Sequence, residues 1–231
     1  MRLLGFHLKR KAWLLPLMML WYLIFVFAQK YEEFSFYHKV SEEFPCMIAA
    51  LTSAFILGSE AENEFAKGCG VSLFKLSFVQ WLPHVVYPFL VATAACPLYW
   101  TLYQAGALHR YELPAEAVKY EALIFSLLVT LLAAASLVLF VRVLVRNVYF
   151  AVGAFTVAFA CFFSLHEGLL KKSVPLASMR YDLFLTGLLY SEDYEVAEEV
   201  WLTNRLFFLG VAVVLLLATW LLGKQKYYEN L

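Results

Sequence analysis

Charge is scarce in this chain of 231 residues: Asp, Glu, Lys and Arg make up 16%, with 18 acidic and 18 basic residues in balance. A zero net charge offers no basic surplus for nucleic acid. The four cysteines (Cys46, Cys69, Cys96, Cys161) contain no Cys-x-x-Cys pair, so the usual thiol metal or redox pattern is missing. Their reading is as small hydrophobes in a helix bundle, as opposed to disulfides or metal ligands. There is no Gly-x-x-x-x-Gly-Lys-Ser/Thr loop for nucleotide phosphates, and no His-Glu-x-x-His or Gly-x-Ser-x-Gly pattern for hydrolysis. Repeats and low-complexity tracts are also absent, and the chain reads as one domain over residues 1–231.

What is present is apolar and arranged in blocks. Hydrophobic residues make up 63% of the chain, and its mean hydropathy is +0.71. Ala12–Ala28, Ala122–Val141, Val148–Leu165 and Leu206–Leu222 are uncharged runs of 17 to 20 residues. As helices, such runs cross roughly 30 Å of hydrocarbon. Two blocks are less regular: Phe44–Gly58 is short, and Phe78–Leu102 contains Gln80, His84, Pro83, Pro88 and Pro97. Prolines are tolerated in a membrane helix when neighbours satisfy the freed carbonyls. The pattern predicts an all-α integral membrane protein with six spans, the third one kinked. Ala12–Ala28 follows a basic start as a signal peptide would. Its length and its Trp21, Tyr22 and Phe25 favour an uncleaved first span.

Charge is distributed unevenly between the two sides of this topology. With six spans both termini share a side. That side collects Arg2, Lys9, Arg10, Lys11, Lys67, Lys75, Arg142, Arg146, Lys224 and Lys226 against Glu60, Glu62, Glu64 and Glu229, a net +6. The other side carries −6. Basic residues near span ends stay cytoplasmic, and the cluster before the first span and the turn 141–147 carry the assignment. Both termini are therefore expected inside.

Three segments between or before the spans carry functional information. Met1–Lys11 interleaves Leu3, Leu4, Phe6 and Leu8 with His7, Lys9, Arg10 and Lys11, which suits a short interfacial helix or a plain basic anchor. In the loop 59–75 three glutamates, Glu60, Glu62 and Glu64, put Glu60 and Glu64 on one helical face, with Phe65 and Lys67 close by. Gly68-Cys69-Gly70 then ends that helix, and Val71–Val79 reads as an interfacial stretch leading into the third span. Acidic residues on the basic side point to a protein partner, against the alternative of a solvated turn. The third segment, His166–Thr203, lies on the acidic side. Gly168–Tyr190 has the composition of interfacial helices that Pro175 and Gly187 would divide, and Ser191–Glu199 reads as an acidic helix or loop. Trp201 sits at the level of an aromatic belt before the last span.

In this order, the three segments resemble those of the membrane subunits of ABC-2 type ATP-binding-cassette transporters. Glu60, Glu62, Glu64, Gly70 and Ser72 fall where that family carries its coupling segment. Leu73 and Gln80 stand where the family has an arginine and a lysine, which leaves room for pairing with a non-identical second permease. Trp201-Leu202-Thr203-Asn204-Arg205-Leu206-Phe207-Phe208-Leu209 is similar to the family's entry to its last span, with Asn204-Arg205 just outside a Leu-rich helix. The resemblance implies an N-terminal interfacial helix, a cytoplasmic coupling helix between spans two and three, and outer amphipathic or re-entrant helices between spans five and six. It implies ATPase coupling through Glu60, Glu62, Glu64, Phe65, Lys67, Gly68, Gly70 and Ser72, and an outer cap or gate at Pro175, Arg180, Asp182, Asn204 and Arg205. By the same resemblance, the chain is a permease subunit of an exporter in a bacterial cytoplasmic membrane. It would work with a separate ATPase subunit, which holds the ATP and magnesium, and with a second permease, identical or related. No cofactor or metal is expected on this chain itself.

Few charges in the spans make an apolar or amphipathic cargo easier to accommodate than a small ion. Two other readings remain open on the residues. His84, His109 and His166 with the cysteines could serve a membrane-embedded enzyme or redox protein, and the chain could be a non-transporting scaffold or immunity protein. Of the three histidines, His84 lies well inside a span, where a hydrogen-bonded structural role is the commoner one.

Overall fold

The computed structural model describes residues 5, 9–20, 44–54, 73–104, 120–145, 147–170, 173, 175–184, 190–191, 194–195 and 198–228. Residues 14–20 are helical, and five longer helices follow: α1 (Phe44–Ser53), α2 (Leu73–Gln104), α3 (Tyr120–Val145), α4 (Val148–Leu170) and α5 (Glu198–Tyr228). Between α4 and α5 lie a 3-10 helix (Leu176–Tyr181) and a two-residue antiparallel pairing of β1 (Tyr190–Ser191) with β2 (Tyr194–Glu195). In that pairing Tyr190 faces Glu195 and Ser191 faces Tyr194. Regular structure is otherwise helical among the described residues.

Three of these helices are long and apolar enough to cross a membrane: Ile124–Val145, Val148–His166 and Glu199–Leu222. They coincide with the fourth, fifth and sixth apolar blocks of the sequence and suit a membrane protein. The other three blocks contain helix at residues 14–20, in α1 and in α2.

The third helix is the centre of the assembly. It is rich in Leu and Ala and free of Gly and Pro, a composition with high helix propensity. Leu127, Val129, Leu131, Ala133, Ala134, Ala135, Val138, Leu139 and Val143 are all buried. Small residues allow close approach of neighbouring backbones, and α3 packs most extensively against α5 and α1, then against α4. By contrast α4 is peripheral, with Tyr149, Phe150 and Val157 exposed. Exposed apolar side chains around such a helix are what lipid contact requires. Leu14 and Met18 of the first apolar block are fully buried.

Side-chain bonds to backbone fix how these helices register. Trp81 of α2 donates from Nε1 to the Ala135 carbonyl of α3 at 3.1 Å. At the other end of α3, Arg142 donates from Nε to the carbonyl of Ala54, just past α1, at 3.1 Å. Both acceptors lie in or beside Ala-rich helix.

Several sequence boundaries are corrected. The turn expected over 141–147 is shorter, because α3 continues through Val145 and α4 begins at Val148. Apolar Val141, Val143, Leu144 and Val145 extend the helix, and Arg142 is part of it. Asn147 caps the next helix: its Oδ1 accepts from the backbone N–H groups of Tyr149 at 2.8 Å and Phe150 at 3.4 Å. This is the bond an N-cap asparagine supplies. The interfacial stretch expected before the third span is continuous with it, since α2 runs unbroken over 32 residues. The last helix starts at Glu198, eight residues before the expected Leu206. Acidic residues at a helix start interact favourably with its dipole, so Glu198 and Glu199 belong to the helix.

Candidate functional site

The segment that joins α4 to α5 turns back into the helix bundle. Pro175 precedes the 3-10 helix, with φ −58° and ψ 137°, and proline's restricted φ suits such an entry. The helix closes when the N–H of Asp182 donates to the Met179 carbonyl at 3.2 Å. Beyond it the chain is extended at Asp182, and Leu183 and Phe184 are buried. Phe184 packs edge-on against Phe159 of α4, with ring centroids 5.3 Å apart. It also lies edge-on to His166, at 6.2 Å.

Non-helical backbone buried away from water requires partners for its carbonyls. Here α5 and α3 supply them. Asn204 donates from Nδ2 to the carbonyls of Met179 and Asp182, both at 2.8 Å. Arg205 donates from Nη2 to the carbonyls of Asp182 at 3.2 Å and Leu183 at 3.1 Å. Its Nε donates to Asn204 Oδ1 at 2.8 Å, and its Nη1 donates to Thr130 Oγ1 at 3.0 Å. The Thr130 hydroxyl in turn donates to the Leu183 carbonyl at 3.2 Å. Thr130 is six residues inside the apolar window that starts at Ile124. At 1.5 Å per residue, the Leu183 carbonyl is held about 9 Å into that window.

The carboxylate of Asp182 faces the other way. Its Oδ2 lies 2.7 Å from His166 Nδ1, with both side chains buried, and its Oδ1 accepts from the Phe184 N–H at 2.9 Å. Asp182, Asn204 and Arg205 are each fully buried. A fully buried guanidinium is costly in hydrocarbon unless bonded, and the planar fork of arginine suits several acceptors at once. The arrangement therefore ties α3, α4, α5 and the returning segment together through one polar cluster. Outside it, Trp201 donates from Nε1 to Ser126 Oγ at 3.0 Å and meets Phe125 edge-on at 6.0 Å.

The sequence placed Asn204-Arg205 just outside the last helix, and that position is corrected. Both lie inside α5 and are buried, because the carbonyls of residues 179–183 reach them there. Of the five residues expected at a cap, Asp182, Asn204 and Arg205 come together. Pro175 only introduces the 3-10 helix, and Arg180 is exposed. The helical pieces expected over Gly168–Tyr190 reduce to the end of α4 and one six-residue 3-10 helix among the described residues. Thr130 and Ser126 were passed over by the sequence reading. Their signal is that of hydroxyls inside an otherwise apolar run.

Glu60, Glu62, Glu64, Phe65, Lys67, Gly68, Gly70 and Ser72 lie outside the described residues, as does His109. Among the described residues, no group of three or more His, Cys, Asp or Glu side chains is placed to hold a metal ion. Cys46 is buried and unbridged, its Sγ 3.9 Å from the Thr130 carbonyl, and Cys161 is exposed and unbridged. The chain matches no family model, no curated protein and no solved structure.

Proposed function

We propose that this chain is the membrane-spanning permease subunit of an ATP-driven exporter, with six spans and both termini cytoplasmic. The observation that carries the reading is the returning segment 176–184. It is pinned by Asn204, Arg205 and Thr130 between the two helices that correspond to spans five and six. An outer re-entrant element at that place is what the ABC-2 resemblance calls for. Three helices of spanning length, and helical structure in the other three apolar blocks, are consistent with the six-span count.

In this reading ATP is hydrolysed by a separate ATPase docked at Glu60–Gly70, and a second permease, identical or related, completes the pathway. Movement of the ATPases alters the outer segment only if the two states differ in their contact energies. The polar cluster around Arg205 supplies contacts that such a change could make or break. The cargo is apolar or amphipathic, a peptide, antibiotic or lipid-like molecule, since the described spans carry few charges.

Affinity purification of the tagged chain from its native membrane tests the assignment, followed by ATP turnover of the complex. An ATPase subunit is expected to co-purify, and Glu60→Lys with Glu64→Lys together is expected to lower its turnover. Unchanged assembly and turnover in the double variant would remove the docking assignment.

A further inference from the structure

Helical hydroxyls in this protein usually fold back on their own backbone. Thr52, Thr156, Thr203 and Thr219 each donate to the carbonyl four residues earlier, at 2.7 to 2.9 Å. Ser53 does the same to Ala49. This is the ordinary way for such residues to satisfy themselves inside a helix. Ser77 of α2 and Ser136 of α3, both fully buried, depart from it, as does Thr93 of α2: none of the three hydroxyls has a partner among the described residues.

Ser77 is not alone on its helix. Gln80 Oε1 and both ring nitrogens of His84 are also buried and unpartnered among the described residues. Gln80 is 4% exposed and His84 1%. Positions 77, 80 and 84 follow the i, i+3, i+7 spacing that puts residues on one helical face. They form a polar stripe roughly 10 Å long. It begins within a turn of exposed Lys75. Trp81, in the same stretch, is bonded to Ala135, the residue before Ser136. The stripe thus runs inward from the charged end of α2 along the side that meets α3.

Native proteins rarely keep several buried polar atoms unpaired, because each costs about 1–3 kcal/mol. The groups of the stripe are one hydroxyl, one amide carbonyl and an imidazole with one donor and one acceptor when neutral. That mixed set complements a small neutral guest able both to donate and to accept. We infer that Ser77, Gln80 and His84 hold a cluster of bound water on the side of α2 that meets α3. Bound waters of this kind make about three hydrogen bonds each to groups left unsatisfied by the protein. This internal hydrated site stands independently of the transport reading.

Water-edited solid-state NMR on the full chain in lipid bilayers, with labelled histidine and glutamine, tests it. The His84 ring signals are assigned by their loss in His84→Gln. Magnetisation from water is expected to reach the His84 ring and the Gln80 amide severalfold faster than it reaches labelled Phe155, which is buried in the core. Equal, slow build-up at all three would overturn the proposal. Gln80→Leu gives a second readout through thermal unfolding. With water bound, the variant loses a bonded group: its Tm falls, and transfer to His84 slows severalfold. A Tm that rises, as it would on removing an unpaired carbonyl from a dry interior, counts against the proposal.

Discussion

Arg205 and Asp182 meet through the backbone carbonyl of the aspartate: guanidinium Nη2 donates to that carbonyl at 3.2 Å, while the carboxylate lies 2.7 Å from His166 and accepts from the Phe184 N–H. One residue thus presents its main chain to α5 and its side chain to α4. The consequence is mechanical. The returning segment cannot leave α5 without exposing carbonyls, nor leave α4 without breaking a buried His–Asp contact.

Replacing Arg205 should therefore unfold more than a local contact. Arg205→Leu removes the donor to the Asp182 and Leu183 carbonyls, to Thr130 and to Asn204. Its partners are neutral acceptors, and leaving a buried acceptor unsatisfied typically costs about 1–3 kcal/mol. Arg205→Lys keeps the charge but not the fork, so it should recover only part of the loss. Thermal unfolding in detergent, followed by tryptophan fluorescence, is the measurement. A leucine variant as stable as the parent would contradict the arrangement.

Asn204 acts on the same segment with less charge at stake. Asn204→Ala adds no charge and loses both donors to the Met179 and Asp182 carbonyls, along with the acceptor for Arg205 Nε. Interhelical bonds in membranes average about 0.6 kcal/mol, and soluble ones about 1. Two such bonds correspond to roughly tenfold more frequent opening of the segment. Exposed Arg180 lies inside it and provides a tryptic site. Cleavage after Arg180 should accelerate by about that factor when opening is fast relative to cleavage. Cleavage at the parental rate would show that Asn204 does not hold the segment.

The sequence made the apolar helices legible and left the polar cluster hidden, for a physical reason. Ala122–Val141 and Val148–Leu165 are long, uncharged and free of ambiguity, and helices α3 and α4 contain them. Helix ends were harder. Apolar residues such as Val143 and Leu144 extend a helix past an arginine, and Glu198 and Glu199 start one despite their charge. Asn204-Arg205 reads as a boundary because charge usually marks the edge of a span. Only the three-dimensional return of residues 179–183 gives those groups acceptors inside. Nothing local to Thr130 or Leu183 signals that they meet, as they lie 53 positions apart in the sequence. The proposed coupling residues from Glu60 to Ser72 fall outside the described structure, so their role still rests on resemblance.

Asn147 offers a test of the tight connection between α3 and α4. Its side chain accepts from the N–H groups of Tyr149 and Phe150. Asn147→Ala should cost about 1 kcal/mol, and Asn147→Gly only a few tenths. Hydrogen exchange should report the loss first at residues 149 and 150, with the α3 core unchanged. Uniform loosening of α3 and α4 would instead place the effect in packing.

The two indole bonds should differ in cost although both are single N–H donors. Trp81 is 1% exposed and bonded to the carbonyl of Ala135, whereas Trp201 is half-buried and bonded to Ser126 Oγ. Trp81→Phe loses a bond and leaves volume in a closed interior, a cost of roughly 1–2 kcal/mol. Trp201→Phe loses its bond at the edge of the bundle, where lipid or solvent refills the space, so about 0.6 kcal/mol is expected. Unfolding of both variants in the same detergent decides the order. If Trp201→Phe proves the more damaging, the ends of α3 and α5 that meet there depend on the Ser126 contact more than on the core between α2 and α3.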